Sequence, residues 1–122
     1  MTATARLYSD VIRERWRRPR YRGTLPEATT TAEEFNPLCG DRVRVALRVA
    51  GDRVEAARHT GDSCAICTAS ADLLAEMVEG RTTAAARALG PDDLLSALGA
   101  PIRPNRLRCV TLPLSALAAA LG

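Results

Sequence analysis

Apolar and polar residues alternate strictly along one stretch of the chain. Val43, Val45, Leu47 and Val49 are separated by Arg42, Arg44, Ala46 and Arg48. A period of two is the mark of a half-buried strand, and it predicts one over Asp41–Ala50. Gly51-Asp52 reads as a two-residue hairpin turn, after which residues 53–60 return with Val54 and Ala56 inward. Such a turn pairs Ala50 with Arg53, and so sets Val49 opposite Val54, Leu47 opposite Ala56 and Val43 opposite Thr60. Carried past the regular strand ends, this register puts Asp41 opposite Asp62 and Cys39 opposite Cys64. Cys39, Asp41 and the valine row then share a face, and His59 lies on the other as a surface residue. The threonines at 29–31 with Phe35 predict a further short strand over residues 29–35, at a sheet edge.

Elsewhere the period is helical. Residues 4–18 carry Leu7, Tyr8, Val11, Ile12 and Trp16 as one stripe with arginines on the opposite side, and Pro19 and Gly23 end the helix. Ser63-Cys64 opens a second helix with the stripe Ile66, Ala69, Leu73, Met77 and Val78, and Gly80 stops it. Short helices follow over residues 83–89 and Pro91–Leu98, the latter with Pro91 at its first position and Asp92 and Asp93 in the first turn. Residues 104–121 form the last, spaced by Leu107, Val110, Leu114, Leu117 and Leu121. Pro113 cannot bond the carbonyl of Cys109, so a local kink is expected there. The sum is an α+β fold: an N-terminal helix, a three-stranded antiparallel sheet and C-terminal helices packed on one face, in a single domain over residues 1–122.

Composition narrows this. Hydrophobic residues make up 47% of the chain but aromatics only 3%. Ala, Val and Leu must therefore fill the core, with Trp16 and Phe35 as its few large pieces. The net charge is +3, and every one of the 17 basic residues is arginine. The cluster at Arg13, Arg15, Arg17, Arg18, Arg20 and Arg22 reads as a solvated helix face and exit loop, or as a site for an acidic partner. Few aromatics stand ready to stack bases and no groove-reading motif occurs, which argues against nucleic acid. No apolar run reaches membrane-spanning length, and residues 1–16 hold no signal-peptide core, so no membrane role and a reducing cytoplasmic setting are expected. In that setting four cysteines are metal ligands or reactive thiols rather than disulfides.

Asn36-Pro37-Leu38-Cys39-Gly40-Asp41 packs a turn, a thiol, a carboxylate and a flexible joint into six residues. Cys64 sits in the first turn of a helix, where free N–H groups favour a thiolate. The register brings these two segments together, and with Cys109 they make a candidate set of Cys39, Asp41, Cys64 and Cys109 around one metal. Three thiolates suit zinc or iron–sulfur chemistry, and a carboxylate adds an exchangeable ligand. Two other readings remain open. The cysteines could be buried structural residues, or Cys64-Ala65-Ile66-Cys67 could be a dithiol redox pair, although its preceding strand belongs to a hairpin and not to a βαβ unit.

Three stretches carry a resemblance: Asn36-Pro37-Leu38-Cys39-Gly40-Asp41-Arg42; Gly61-Asp62-Ser63-Cys64-Ala65-Ile66 with Thr68-Ala69-Ser70-Ala71; and Arg106-Leu107-Arg108-Cys109-Val110-Thr111-Leu112. In order and over nearly the whole chain, they resemble the motifs of the IscU/SufU/NifU-N iron–sulfur cluster assembly proteins. The resemblance implies that Cys39, Asp41, Cys64 and Cys109 hold Zn2+ or a transient iron–sulfur cluster. It implies a cysteine desulfurase as sulfur donor and downstream assembly or apo-acceptor proteins as recipients; Cys39 is the thiol expected to accept the sulfur, because Gly40 after it gives the backbone room to move. Arg108 stands where scaffolds of the IscU kind carry histidine; a basic residue there is similar to the SufU branch, which relays sulfur. SufU proteins usually carry an insertion between the second and third cysteines, and only 45 positions separate Cys64 from Cys109 here. Cys67 stands where the family commonly has serine, and Arg15 where histidine is common.

Overall fold

The alternating stretch is the central strand. In the computed structural model, which describes residues 9–122, β1 (Thr30–Asn36), β2 (Asp41–Ala50) and β3 (Arg53–Asp62) form an antiparallel sheet in the order β1-β2-β3. Val43, Val45 and Leu47 are buried on its inner face, as their period requires. On the outer face of β1 lies Phe35, 53% exposed, because the next residue, Asn36, turns inward opposite Asp41. Phe35 is therefore not a core residue.

The β2–β3 register departs from the simple hairpin. Ala50 pairs with Arg53 and Val49 with Val54, but Arg48 pairs with Ala56, so Glu55 is an extra residue in a β-bulge. One inserted residue reverses the facing of everything beyond it. Leu47 stands opposite Ala57 rather than Ala56, Val43 opposite Gly61 rather than Thr60, and Arg42, not Asp41, opposite Asp62. His59 thus turns inward and is 3% exposed, which corrects its expected place on the surface. The bulge also brings Gly61 against β2. A Cβ there would lie 2.1 Å from the Arg42 carbonyl oxygen at a φ of +142°, so only glycine fits this crossing.

All helices among the described residues pack on the inner face. They are α1 (Asp10–Arg17), α2 (Ala65–Val78), α3 (Thr83–Arg87), α4 (Pro91–Leu98) and α5 (Leu107–Leu121), the last entered through a 3-10 turn at Pro104–Arg106. α5 lies across β1 and β2, α2 lies between β3 and α5, and α1 covers α2. α2 is buried on almost every side rather than along one stripe, and even Ser70 and Asp72 are 0% exposed. The core face of α5 is Cys109, Val110, Leu112, Pro113, Ala116, Leu117 and Ala120, while Leu107, in the expected stripe, is exposed.

The start expected for the first helix, with Leu7 and Tyr8, lies outside the described residues. Within them Ser9 caps α1 by accepting from the Ile12 N–H at 3.1 Å. Ile12 is fully buried, but Val11 and Trp16 are exposed. The face they were expected to supply is taken by Arg15, which is buried instead of solvated, because α2 carries a carboxylate beneath it.

That carboxylate is Asp72. Its Oδ1 accepts from the Tyr21 N–H at 2.7 Å and from His59 Nε2 at 2.9 Å, and its Oδ2 from Arg15 at 2.9 Å and the Arg20 N–H at 3.0 Å. Four donors saturate a carboxylate. Arg15 also pairs with Glu76. Burial alone would raise the Asp72 carboxyl, but the bonds from His59, Arg15, Arg20 and Tyr21 outweigh it and hold the group at about 2. The folded value lies below the unfolded value of about 3.9, so the stabilisation is complete above about pH 5 and is lost progressively as pH falls from there toward about pH 1. Urea titrations should show that loss in the wild type and not in Asp72→Asn; an unchanged acid slope in the variant would refute the assignment. Asp72→Ala should cost about 3–5 kcal/mol, since it leaves the buried Arg15 with Glu76 alone and takes the shared acceptor from His59 and the Arg20 and Tyr21 N–H groups.

Candidate metal centre

The β1–β2 hairpin turn supplies the most accessible thiol. Asn36 folds it: its Oδ1 accepts from the Leu38 N–H at 3.1 Å, and its carbonyl from the Gly40 N–H at 2.8 Å. Cys39 is exposed at the tip, and Gly40 closes the turn at a φ of +81° with open space around it. Asp41 then enters β2 with 5% exposure. Its Oδ1 accepts from the Cys64 N–H at 3.0 Å, which fastens the start of α2 to the start of β2.

Cys64 is the N-cap of α2, its Sγ accepting from the Cys67 N–H at 3.4 Å. Cys109 comes from the first turn of α5 and is buried. Beneath it Ser70 Oγ donates to the Val110 carbonyl at 2.8 Å, locking α5 to α2.

These elements converge. Donor atoms of Cys39, Asp41 and Cys109 all lie within 4.8 Å of one another. The Cys64 sulfur is outside that tightest set but interacts with the Cys109 thiol. The two cysteine segments do meet, although not through the ladder: after the bulge the register no longer sets Cys39 opposite Cys64, and the Asp41–Cys64 hydrogen bond makes the connection instead. Cys67 is 0% exposed, and burial pushes its thiol well above the ordinary range. His59 is engaged with the Asp72 carboxylate and not with the thiols.

Arg106, which the motifs did not single out from Arg108, joins this set. Its Nε is 3.5 Å from Cys109 Sγ and it also bonds the Cys64 side chain, contacts that raise its own pKa. Arg108 is exposed. The signal was the spacing: Arg106 precedes Cys109 by three, which puts both on one side of a helical turn. The Cys109 thiol is pushed up to about 12, first by burial and also by Cys64, with Arg106 pulling it down.

Asp41 Oδ2 is the one buried side-chain N or O atom that lacks a hydrogen-bond partner among the described residues. An unpartnered buried carboxylate oxygen is costly unless a cation meets it. A hard oxygen beside soft sulfurs is a donor set that fits zinc or iron.

Comparison with known proteins places these features. Residues 7–122 match the family profile described as NifU-like N terminal domain. The chain is 39% identical over 100 residues to the bifunctional protein NifU/MnmA of Rubrobacter xylanophilus, covering 81% of this chain and 20% of that protein. It is 29% identical to the zinc-dependent sulfurtransferase SufU of Bacillus subtilis, covering 91% of this chain and 86% of the relative. It is 30% identical to the iron–sulfur cluster assembly scaffold protein IscU of Streptococcus pyogenes, covering 94% and 82%. A crystal structure of a putative iron–sulfur cluster assembly scaffold protein from Fervidobacterium islandicum shares the fold, with a TM-score of 0.81 at 23% identity over 95% of this chain and 97% of that one.

Exposure orders the thiols' reactivity. In metal-free protein, iodoacetamide followed by peptide mass spectrometry should label Cys39 first, Cys64 and Cys109 more slowly and Cys67 last. Labelling of Cys67 ahead of Cys39 would contradict the burial described.

Proposed function

The chain belongs to the family of NifU-like N-terminal domains, and on that premise we propose that it serves iron–sulfur cluster assembly in the cytoplasm. Cys39, Asp41, Cys64 and Cys109 would hold Zn2+ or a nascent cluster, and Cys39 would accept sulfur from a cysteine desulfurase for delivery to downstream assembly or apo-acceptor proteins. The observation that carries this reading is Asp41 Oδ2, buried and unpartnered, on a residue whose carboxylate lies within 4.8 Å of two cysteine sulfurs.

Bound zinc would supply a non-redox Lewis acid that keeps thiolates deprotonated and exchanges a ligand. The chain's own groups divide the remaining tasks. Cys39 is exposed on a glycine-closed turn, so it can swing toward a donor while the other thiols stay fixed to helices. As a thiolate it would attack the outer sulfur of a donor persulfide and release the donor's cysteine thiolate. Asp41 holds Cys64 in place with one oxygen and offers the other to the cation. Arg106 supplies positive charge at Cys109 and Cys64, where anionic sulfur gathers.

The similarity to SufU favours sulfur relay and that to IscU favours the scaffold, and one experiment separates them. Desulfurase turnover is measured with each variant as acceptor, with zinc, iron and acid-labile sulfide determined in parallel. For the relay, wild type stimulates turnover and metal-loaded Cys39→Ser does not; full stimulation by that variant would remove Cys39 as acceptor. A wild type that does not stimulate but accumulates iron and sulfide is a scaffold. Asp41→Ala should keep the thiols but weaken zinc by more than about tenfold, since even outer-shell partners commonly cost about 10–100-fold. Competition against a chromogenic chelator reads this directly, and unchanged affinity would exclude Asp41 as a ligand.

A further inference from the structure

Cys67 has no task in the function proposed above, yet the fold sets it beside the thiols. Cys64 caps α2 and Cys67 is three residues on, in the first turn, with its N–H bonded to Cys64 Sγ at 3.4 Å. Disulfides need Cβ atoms about 3.5–4.5 Å apart; residues three apart on a helix have theirs about 5–6 Å apart, and Cys64, extended at the N-cap and outside the helix, can close the difference by a small turn of its backbone. The Cys67 side chain bonds Ser63, the residue before Cys64, and is fully buried at the head of α2. Cys39 is exposed, Cys64 half-buried and Cys67 fully buried, a gradient leading from solvent to the pair.

We propose that Cys67 is a resolving thiol that converts sulfur carried as a persulfide on Cys64 into free sulfide. The inference rests on the reading of this site as a sulfur acceptor. In the first step the Cys64 thiolate attacks the outer sulfur of a Cys39 persulfide. The sulfur–sulfur bond on Cys39 breaks, Cys39 leaves as a thiolate, and Cys64 carries the persulfide. In the second step the Cys67 sulfur attacks Cys64 Sγ. A Cys64–Cys67 disulfide forms, the bond to the outer sulfur breaks, and that sulfur departs as hydrosulfide, taking up the Cys67 proton to leave as hydrogen sulfide. The two electrons that reduce the carried sulfur come from the thiols, which end as a disulfide. An external thiol then reopens the pair.

Two features of the fold suit this chemistry. The capping contact holds Cys64 Sγ 3.4 Å from the Cys67 N–H, so the two residues share the first turn of α2. The burial of Cys67 keeps it from external electrophiles, so its accessible reaction is with its neighbour. A buried thiol attacks slowly, which leaves the persulfide time to be passed on intact and makes sulfide release the slower branch.

Metal-free protein is loaded with inorganic polysulfide, desalted, and followed without reductant by intact mass and by methylene-blue assay of sulfide. Wild type should gain the mass of one sulfur atom, about 32 Da. It should then lose that mass with release of about one sulfide per chain and form a disulfide that peptide mapping places at Cys64–Cys67. Cys67→Ser, nearly isosteric, should gain the same mass and keep it, with sulfide release at least about tenfold slower. Equal release from Cys67→Ser, or a disulfide joining Cys64 to Cys109 instead, would overturn the resolving role while leaving the acceptor reading intact. Failure of wild type and variant alike to gain sulfur would overturn the acceptor reading, and the resolving role with it. A separate arm treats unloaded protein with diamide: closure of Cys64–Cys67 supports the pairing independently of sulfur uptake, and its absence refutes it.

Discussion

The saturated carboxylate of Asp72 is the contact on which the arrangement of the other elements depends. It is on the central helix, and its four donors come from α1, from the linker that follows α1, and from β3. One buried group thus fixes the N-terminal helix, its exit loop and the edge of the sheet to α2. A buried carboxylate with fewer partners would cost several kcal/mol, so the donors hold one another in place as much as they hold the acid. The linker is drawn against β3 in the process: the Tyr21 carbonyl accepts from the His59 N–H at 3.0 Å, and the His59 carbonyl from the Gly23 N–H at 2.9 Å. α2 is thereby anchored in its middle while its first turn, bearing Cys64, is left to face the thiols. The position of Cys64 is set by this anchor at one end and by Asp41 at the other.

The same network explains which parts of the fold could be read from the chain. The valine row of β2 was legible because alternation records burial directly, and the Gly51-Asp52 turn was legible because few sequences make a two-residue hairpin. The bulge at Glu55 left no mark, since nothing in Val54-Glu55-Ala56-Ala57 distinguishes inward from outward small residues. Its consequence was large: His59 changed faces, and without an inward His59 there was no reason to look for a buried acid on α2. Asp72 was then a single polar residue in an alanine-rich helix, and Arg15 one arginine among several. The two are paired across more than fifty residues of sequence, a distance over which periodicity carries no information. The expected core aromatics failed for a related reason. Trp16 and Phe35 are large and apolar, but the inward positions beside them are claimed by Arg15 and Asn36, each of which has a buried partner or turn to satisfy.

The candidate centre was more legible than the packing around it because short motifs fix short structures. Asn36 through Asp41 forms its own turn, and Cys64 marks its own helix start, regardless of how the sheet is registered. The expectation that these segments meet therefore survived an incorrect pairing: the bulge displaced the ladder by one residue, and Asp41 spanned the difference with a hydrogen bond. Arg106 and Arg108 show the opposite case. They differ by two positions at the head of a helix, so they point in different directions, and the choice between them depended on where the 3-10 turn hands over to α5.

The cation at the thiols comes with a constraint on the metal. Arg106 cannot lose its charge, whereas a histidine in such a position could be neutral and donate nitrogen to the metal. A guanidinium beside Cys109 and Cys64 lowers the cost of accumulating thiolates and competes with a metal for the same sulfur lone pairs. It therefore sets a fixed counter-charge beside the two helix-borne thiols. Asp41 sets a hard oxygen among soft sulfurs and is already committed through its other oxygen to the Cys64 backbone. The thiol on the freest backbone, Cys39, is also the one without a helix to hold it. Conformational freedom at the exposed end of the site and rigidity at the buried end are thus separated by secondary structure: a glycine-closed turn on one side and two helix starts on the other.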